Sequence, residues 1–143
     1  MRVTFSVLTE LIRRALWPPL LVFATHLFLS RGIEAYRDHP WLDIPMHFAG
    51  GAAMALSLSL ALLVLEGRRL VESTGPRIRY LLILALTGCA AILWEFVEFT
   101  TDQLELTRAQ AGLEDTLLDI ALGLAGGLLF VTLSARRGSA IRE

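Results

Sequence analysis

Hydrophobic positions gather into four stretches, and polar residues are confined between them. Ile44–Leu65 runs for 22 residues with His47 as its one ionisable side chain. Tyr80–Phe99 runs for 20 and Thr116–Ser134 for 19, the latter with one charge, Asp119. Each is close to the roughly 20 residues a transmembrane helix needs. The first stretch, Ala15–Ser30, has 16 residues and contains Pro18 and Pro19. It gains length from the segment before it, where Phe5, Leu8, Ile12 and Leu16 share one helical face. Pro18 there either kinks a helix or marks its start. The pattern predicts an all-α, multi-pass membrane protein. Residues 1–143 form one domain of four transmembrane helices, with a short amphipathic helix at the N-terminus.

Composition supports the membrane reading. The chain is 55% hydrophobic, with a mean hydropathy of +0.58, which is too apolar for an ordinary soluble domain. Its formal net charge of −1 gives no reason to expect a nucleic-acid partner. The partner it does imply is membrane lipid, with a homo-oligomer as a further expectation. Cys89 stands alone, so no intramolecular disulfide forms, and its apolar neighbours predict a buried small residue. Arg13-Arg14 before an apolar run resembles an export signal, but no small-x-small cleavage site follows, so an uncleaved anchor is expected.

All thirteen basic residues are arginine. With four spans, ten of them (Arg2, Arg13, Arg14, Arg68, Arg69, Arg77, Arg79, Arg136, Arg137 and Arg142) fall on one side. Arg31, Arg37 and Arg108 fall on the other. The positive-inside rule then places both termini in the cytoplasm.

The same topology sorts the acids. Asp43 and His47 open the second apolar stretch, Glu95, Glu98 and Asp102 close the third, and Asp115 and Asp119 open the fourth. All fall at the outer level. They also continue stripes of small residues: Gly50 and Gly51 after His47, Gly88 and Ala91 before Glu95, Gly123 and Gly126 after Asp119. Small residues mark helix–helix contacts in membranes, so these acids point into the bundle, and large residues at Gly50, Gly88 or Gly123 should be badly tolerated. A charged carboxylate at mid-helix costs about 2.5–3.5 kcal/mol on insertion scales. The three outer arginines are too few to neutralise the acids, so protons or a cation must do so. Oxygen donors with one imidazole suit a divalent metal ion. The expected metal ligands are His47, Glu95, Glu98 and Asp119. Glu95 and Glu98 are the catalytic candidates, and Asp43, Asp102 and Asp115 support them from outside. Asp43 and Asp115 read equally as helix caps, Asp102 as a solvated helix end, and His26 as a hydrogen-bonded interhelical residue. Trp17, Trp41 and Trp94 fit an interfacial belt.

Three motifs in this order, Asp43-x-x-x-His47-Phe48-x-Gly50, Trp94-Glu95-x-x-Glu98 and Asp115-Thr116-x-x-Asp119, resemble the YjdF-like bacterial inner-membrane proteins. More distantly, with Arg108, Asp119 and Gly123, they are similar to VanZ-like proteins. The resemblance covers roughly residues 40–127 and implies a location in the bacterial inner membrane. It assigns no reaction. The residues themselves leave three functions open. The first is a metal-dependent enzyme acting on a lipid or envelope substrate at the outer face. The second is a proton- or cation-coupled transporter, and the third a non-catalytic accessory or binding protein. The second stretch past Met54, the third before Gly88 and the fourth past Asp119 offer no ionisable group, which counts against a path through the membrane.

Overall fold

The structure is a computed structural model, all-helical, that describes residues 2–140, with side chains from 5 to 137. Arg142 and the side chain of Arg2, both counted in the arginine split, lie outside the described residues. Six α-helices follow in order: α1 (Arg2–Ala15), α2 (Trp17–Leu27), α3 (Ala35–Asp38), α4 (Asp43–Gly67), α5 (Pro76–Gln103) and α6 (Leu113–Ala140). A π-helical turn, Phe28–Gly32, continues α2, and a 3-10 turn, Pro40–Leu42, leads into α4.

Among the described residues three helices, not the expected four, are long and apolar enough to cross a membrane: Pro40–Gly67, Pro76–Gln103 and Leu113–Arg137. The reason lies in the two prolines. Neither Pro18 nor Pro19 has an amide N–H, and a break at Leu16 separates the amphipathic α1 from the 11-residue α2. The carbonyl of Ala15, which Pro19 cannot reach, accepts a hydrogen bond of 2.6 Å from the Ser57 hydroxyl of α4. Both residues are buried. The broken segment lies along α4 for most of its length. Glu10 pairs with Arg68 at one end of α4, and His26 lies beside Trp94 and Tyr36 at the other. Hydrogen bonding to the Arg68 guanidinium holds the Glu10 carboxyl below its usual range.

α4, α5 and α6 pack together through small residues. A Cβ on Gly51 would stand 1.8 Å from the Gly123 carbonyl oxygen, and one on Gly126 would stand 2.0 Å from that of Phe48. The backbones of α4 and α6 therefore touch, which only glycine permits. Gly88 is tight against Leu124 and Gly123 against Ala91. Gly50 departs from the expectation: a Cβ there would meet nothing within 4 Å. It sits one residue, or about 100° around the helix, from the seam at Gly51. Ile83, Thr87, Ala55 and Val131 fill the middle of the bundle. Cys89 is exposed rather than buried, because the buried stripe of α5 runs through Ile83, Thr87 and Gly88, and Cys89 lies beside it.

α4 and α5 end alike. Arg69 and Glu105 take left-handed backbone conformations, φ 55° and 57°. The amides of Leu70 and Leu106 then reach back to the carbonyls of Leu65 and Thr101. This is the helix stop that glycine usually makes. At the α4–α5 turn Glu66 pairs with Arg79, at the end of the bundle away from the acidic residues.

Candidate functional site

The acidic residues meet around one imidazole. Asp43 and His47 stand one turn apart at the start of α4, with Asp43 Oδ1 3.4 Å from His47 Nε2. From α6, Asp119 Oδ2 reaches within 3.8 Å of the same nitrogen. From α5, Glu95 Oε1 lies 3.9 Å from His47 Nδ1. Glu98 is one turn from Glu95 on the same face. Glu95, Glu98 and Asp119 are buried, at 5%, 7% and 2% exposure. Two sets of donor atoms result, Asp43–His47–Asp119 and His47–Glu95–Glu98, each with its atoms within 4.8 Å of one another. The expected single shell is thus divided by the imidazole ring. A neutral imidazole has one lone pair and one N–H, so it can ligate on one side while donating on the other.

The side chains beyond His47 are held from outside. The Trp94 indole N–H donates to Glu98 Oε1 at 2.7 Å. Gln110, on the loop between α5 and α6, donates to Thr116 Oγ1 at 3.0 Å and, more weakly, to Glu95 Oε2 at 3.4 Å. Glu95 Oε1 remains buried with no hydrogen-bond partner. Asp102 is neither a solvated end nor in contact with the cluster. Its carboxylate accepts the amides of Ala109 and Gln110 and the Thr107 hydroxyl, and so folds the loop that delivers Gln110. Asp115 turns back to the Ala111 amide at 3.0 Å, the capping role, and belongs to neither donor set. Asp43 follows Leu42, makes no cap bond at the helix start, and belongs to the cluster.

His26 Nδ1 lies 3.1 Å from the Tyr36 hydroxyl, and its ring meets Trp94 edge-on at 5.7 Å. The Tyr36 hydroxyl is pushed up to about 12, first by burial and then by the negative charges of Asp43 and Glu98. The field of the cluster is therefore felt outside the membrane-spanning helices. At that end, the arginine ion pairs among the described residues run from Arg37 to Glu34 and Asp38, away from the cluster.

Trp94, Gln110 and Tyr36 were not expected to serve the site. The Trp94-Glu95-x-x-Glu98 spacing could have signalled Trp94, since residues four apart share a helical face. Nothing local marks Gln110.

A cavity of about 300 Å³ opens against the cluster between α2, α4 and α5. His26, His47 and Asp119 line one end, and Leu20, Phe23 and Met54 line the remainder. Gly50 forms part of its wall.

Fold and site together define a polytopic helical membrane protein with carboxylates gathered on a single histidine at one end of the bundle. The chain belongs to the DUF2238 family of predicted membrane proteins, whose model matches residues 5–140. That family is the YjdF family, and the VanZ-like resemblance finds no support. No curated protein and no solved structure matches the chain.

Proposed function

We propose that the protein is a membrane-embedded enzyme of the bacterial inner membrane, using one divalent cation at the periplasmic end on a lipid or envelope substrate. The observation that carries this reading is Glu95 Oε1, a carboxylate oxygen buried without a hydrogen-bond partner and 3.9 Å from His47 Nδ1. An unpaired buried carboxylate oxygen is costly. His47, Glu95 and Glu98 would hold a cation that relieves this cost. One imidazole nitrogen and two carboxylates form a donor set that suits zinc, manganese or iron.

The remaining residues fall into roles around that set. Asp43, 3.4 Å from His47 Nε2, holds that nitrogen as N–H and turns the Nδ1 lone pair toward the glutamates. Trp94 fixes Glu98 through its indole N–H. Asp119 lines the cavity with its Oδ2 3.8 Å from His47 Nε2, and is the group placed to take a proton from a nucleophile. A bound cation would supply Lewis acidity toward a substrate oxygen.

Orientation rests on the arginine split. The Arg68–Arg79 end is cytoplasmic under the positive-inside rule, so the cluster is periplasmic. The broken α1–α2 segment, laid along α4 from Arg68 to the level of His47, supplies a fourth passage in two pieces and returns the N-terminus to the cytoplasmic side.

The test is metal analysis of protein purified in detergent after exposure to zinc, manganese and iron. Wild type should retain about one cation per chain. Glu95→Gln should retain at least tenfold less while keeping its helical circular dichroism, and Asp43→Asn should weaken retention by roughly 10–100-fold. A well-folded wild type that holds no cation ends the reading and leaves the cluster a proton relay or a structural network.

A further inference from the structure

The cavity beside the cluster is polar at one end and apolar along the rest. Its walls run on α4 from Met46 to Met54 and on α5 from Thr87 to Trp94, a rise of eight and seven residue steps. At 1.5 Å per residue it extends roughly 10 Å along the bundle, from the cluster toward the membrane middle. Leu16 at the break and Leu20 and Phe23 of α2 close one flank. The volume is at the lower end of the roughly 300–1,000 Å³ typical of small-molecule sites. Gly50 makes room in the wall: it lines the cavity, and a Cβ there would meet no atom within 4 Å. The seam glycine next to it is fully packed.

The polar end has a definite charge character. Asp119 and His47 line it, Asp43 stands behind His47, and Glu95 and Glu98 flank the ring's far side. A single divalent cation offsets two of the four formal carboxylate charges of Asp43, Glu95, Glu98 and Asp119. The end therefore stays acidic, and it favours hydrogen-bond donors over anions.

We infer that this cavity binds a single-chain lipid amphiphile, its apolar tail between α2, α4 and α5 and a neutral, hydrogen-bond-donating head such as a hydroxyl against Asp119 and His47. The inference names the substrate class of the proposed site and rests on that reading. The tail fixes the head at the level of the cluster. The acidic end selects against carboxylate and phosphate heads.

The probe is a long-chain primary alcohol with a photoreactive diazirine at the chain end, added to full-length protein in detergent, with labelled residues mapped by mass spectrometry. Labels should fall on cavity residues such as Leu20 and Met54. Gly50→Leu adds a side chain on the cavity wall, where its first carbon meets no atom within 4 Å, and should cut that labelling at least tenfold with metal content unchanged. A fatty acid of equal chain length should compete at least tenfold less well than the unlabelled alcohol. Labelling spread over outward-facing residues such as Leu81 and Leu93, or indifferent to Gly50→Leu, overturns the cavity assignment. Equal competition by the fatty acid overturns the head-group assignment. Metal content of the same samples separates the two readings. Gly50-sensitive labelling in metal-free wild type supports the cavity and removes the cation. Metal retention with Gly50-insensitive labelling does the reverse.

Discussion

Gly50 and Gly51 are neighbours in sequence, yet alanine at the two positions should have opposite effects. At Gly51 the new methyl would lie 1.8 Å from the Gly123 carbonyl oxygen, whereas ordinary contact begins at 3.4 Å. Backbone cannot swing aside as a side chain can, so α4 and α6 must separate by about 1.6 Å along that line. Gaps of only 0.5–1 Å forfeit a quarter to a half of each dispersion contact, and overpacking of this kind costs roughly 1–3 kcal/mol. The backbone overlap puts Gly51→Ala at about 3 kcal/mol of lost stability. At Gly50 no atom lies within 4 Å of the added carbon, and alanine is about 1 kcal/mol better than glycine inside a helix. Gly50→Ala should therefore be neutral or stabilising by up to about 1 kcal/mol. Unfolding of the detergent-solubilised variants, followed by tryptophan fluorescence, measures both. The displaced seam also carries His47, whose carbonyl is 3.9 Å from the Cβ position of Gly123, so Gly51→Ala should lose cation retention as well. Stabilities that fall together, or a Gly51→Ala protein as stable as wild type, would refute the account of the α4–α6 contact.

Other perturbations probe single contacts. Ser57→Ala leaves the Ala15 carbonyl buried without a partner, and should cost about 0.6–1.7 kcal/mol, the range seen for hydrogen bonds between membrane helices; unfolding in detergent reads it. Glu105→Gly removes a side chain from a left-handed position at φ 57° and should gain about 1 kcal/mol in the same assay. In an alkaline ultraviolet titration Tyr36 should form tyrosinate at about 12. Since the folded state then keeps a proton that the unfolded state releases near pH 10, this group lowers stability progressively as pH rises from 10 toward 12. Replacing Asp43 with Asn should bring the Tyr36 titration down, because one of its two charged causes is removed. Asp102→Ala frees the Ala109 and Gln110 amides, and faster hydrogen exchange confined to the 104–112 loop is the expected result.

The parts of this arrangement that follow from helical periodicity were legible in the sequence. The small-residue stripes turned Glu95, Glu98 and Asp119 inward, and those three are the buried carboxylates among the described residues. The stripe argument failed at Gly50 because 3.6 residues per turn leaves adjacent glycines about 100° apart, and sequence alone does not say which one meets the neighbouring backbone. The number of spanning helices was misread for a similar reason. Hydropathy counts apolar residues and is blind to the missing N–H groups of Pro18 and Pro19, which set the break at Leu16. Gln110 and the role of Asp102 depend on how one loop folds back over α5. No local pattern encodes that tertiary event. The division of the acids into two sets required the orientation of one imidazole ring, which no spacing rule supplies.

The hydrogen bond from Ser57 to the Ala15 carbonyl also bears on how the chain is made. The acceptor and its donor are 42 residues apart. The 11-residue α2 is too short to span a membrane alone, and without Ser57 the Ala15 carbonyl would lack the partner that Pro19 cannot supply. Its amphipathic neighbour α1 has the form of a helix that rests on the membrane surface. Only when α4 has entered the bilayer does Ser57 become available. The place of the broken α1–α2 segment in the finished bundle therefore depends on α4, whose Ser57 supplies the one donor the Ala15 carbonyl is given in the structure.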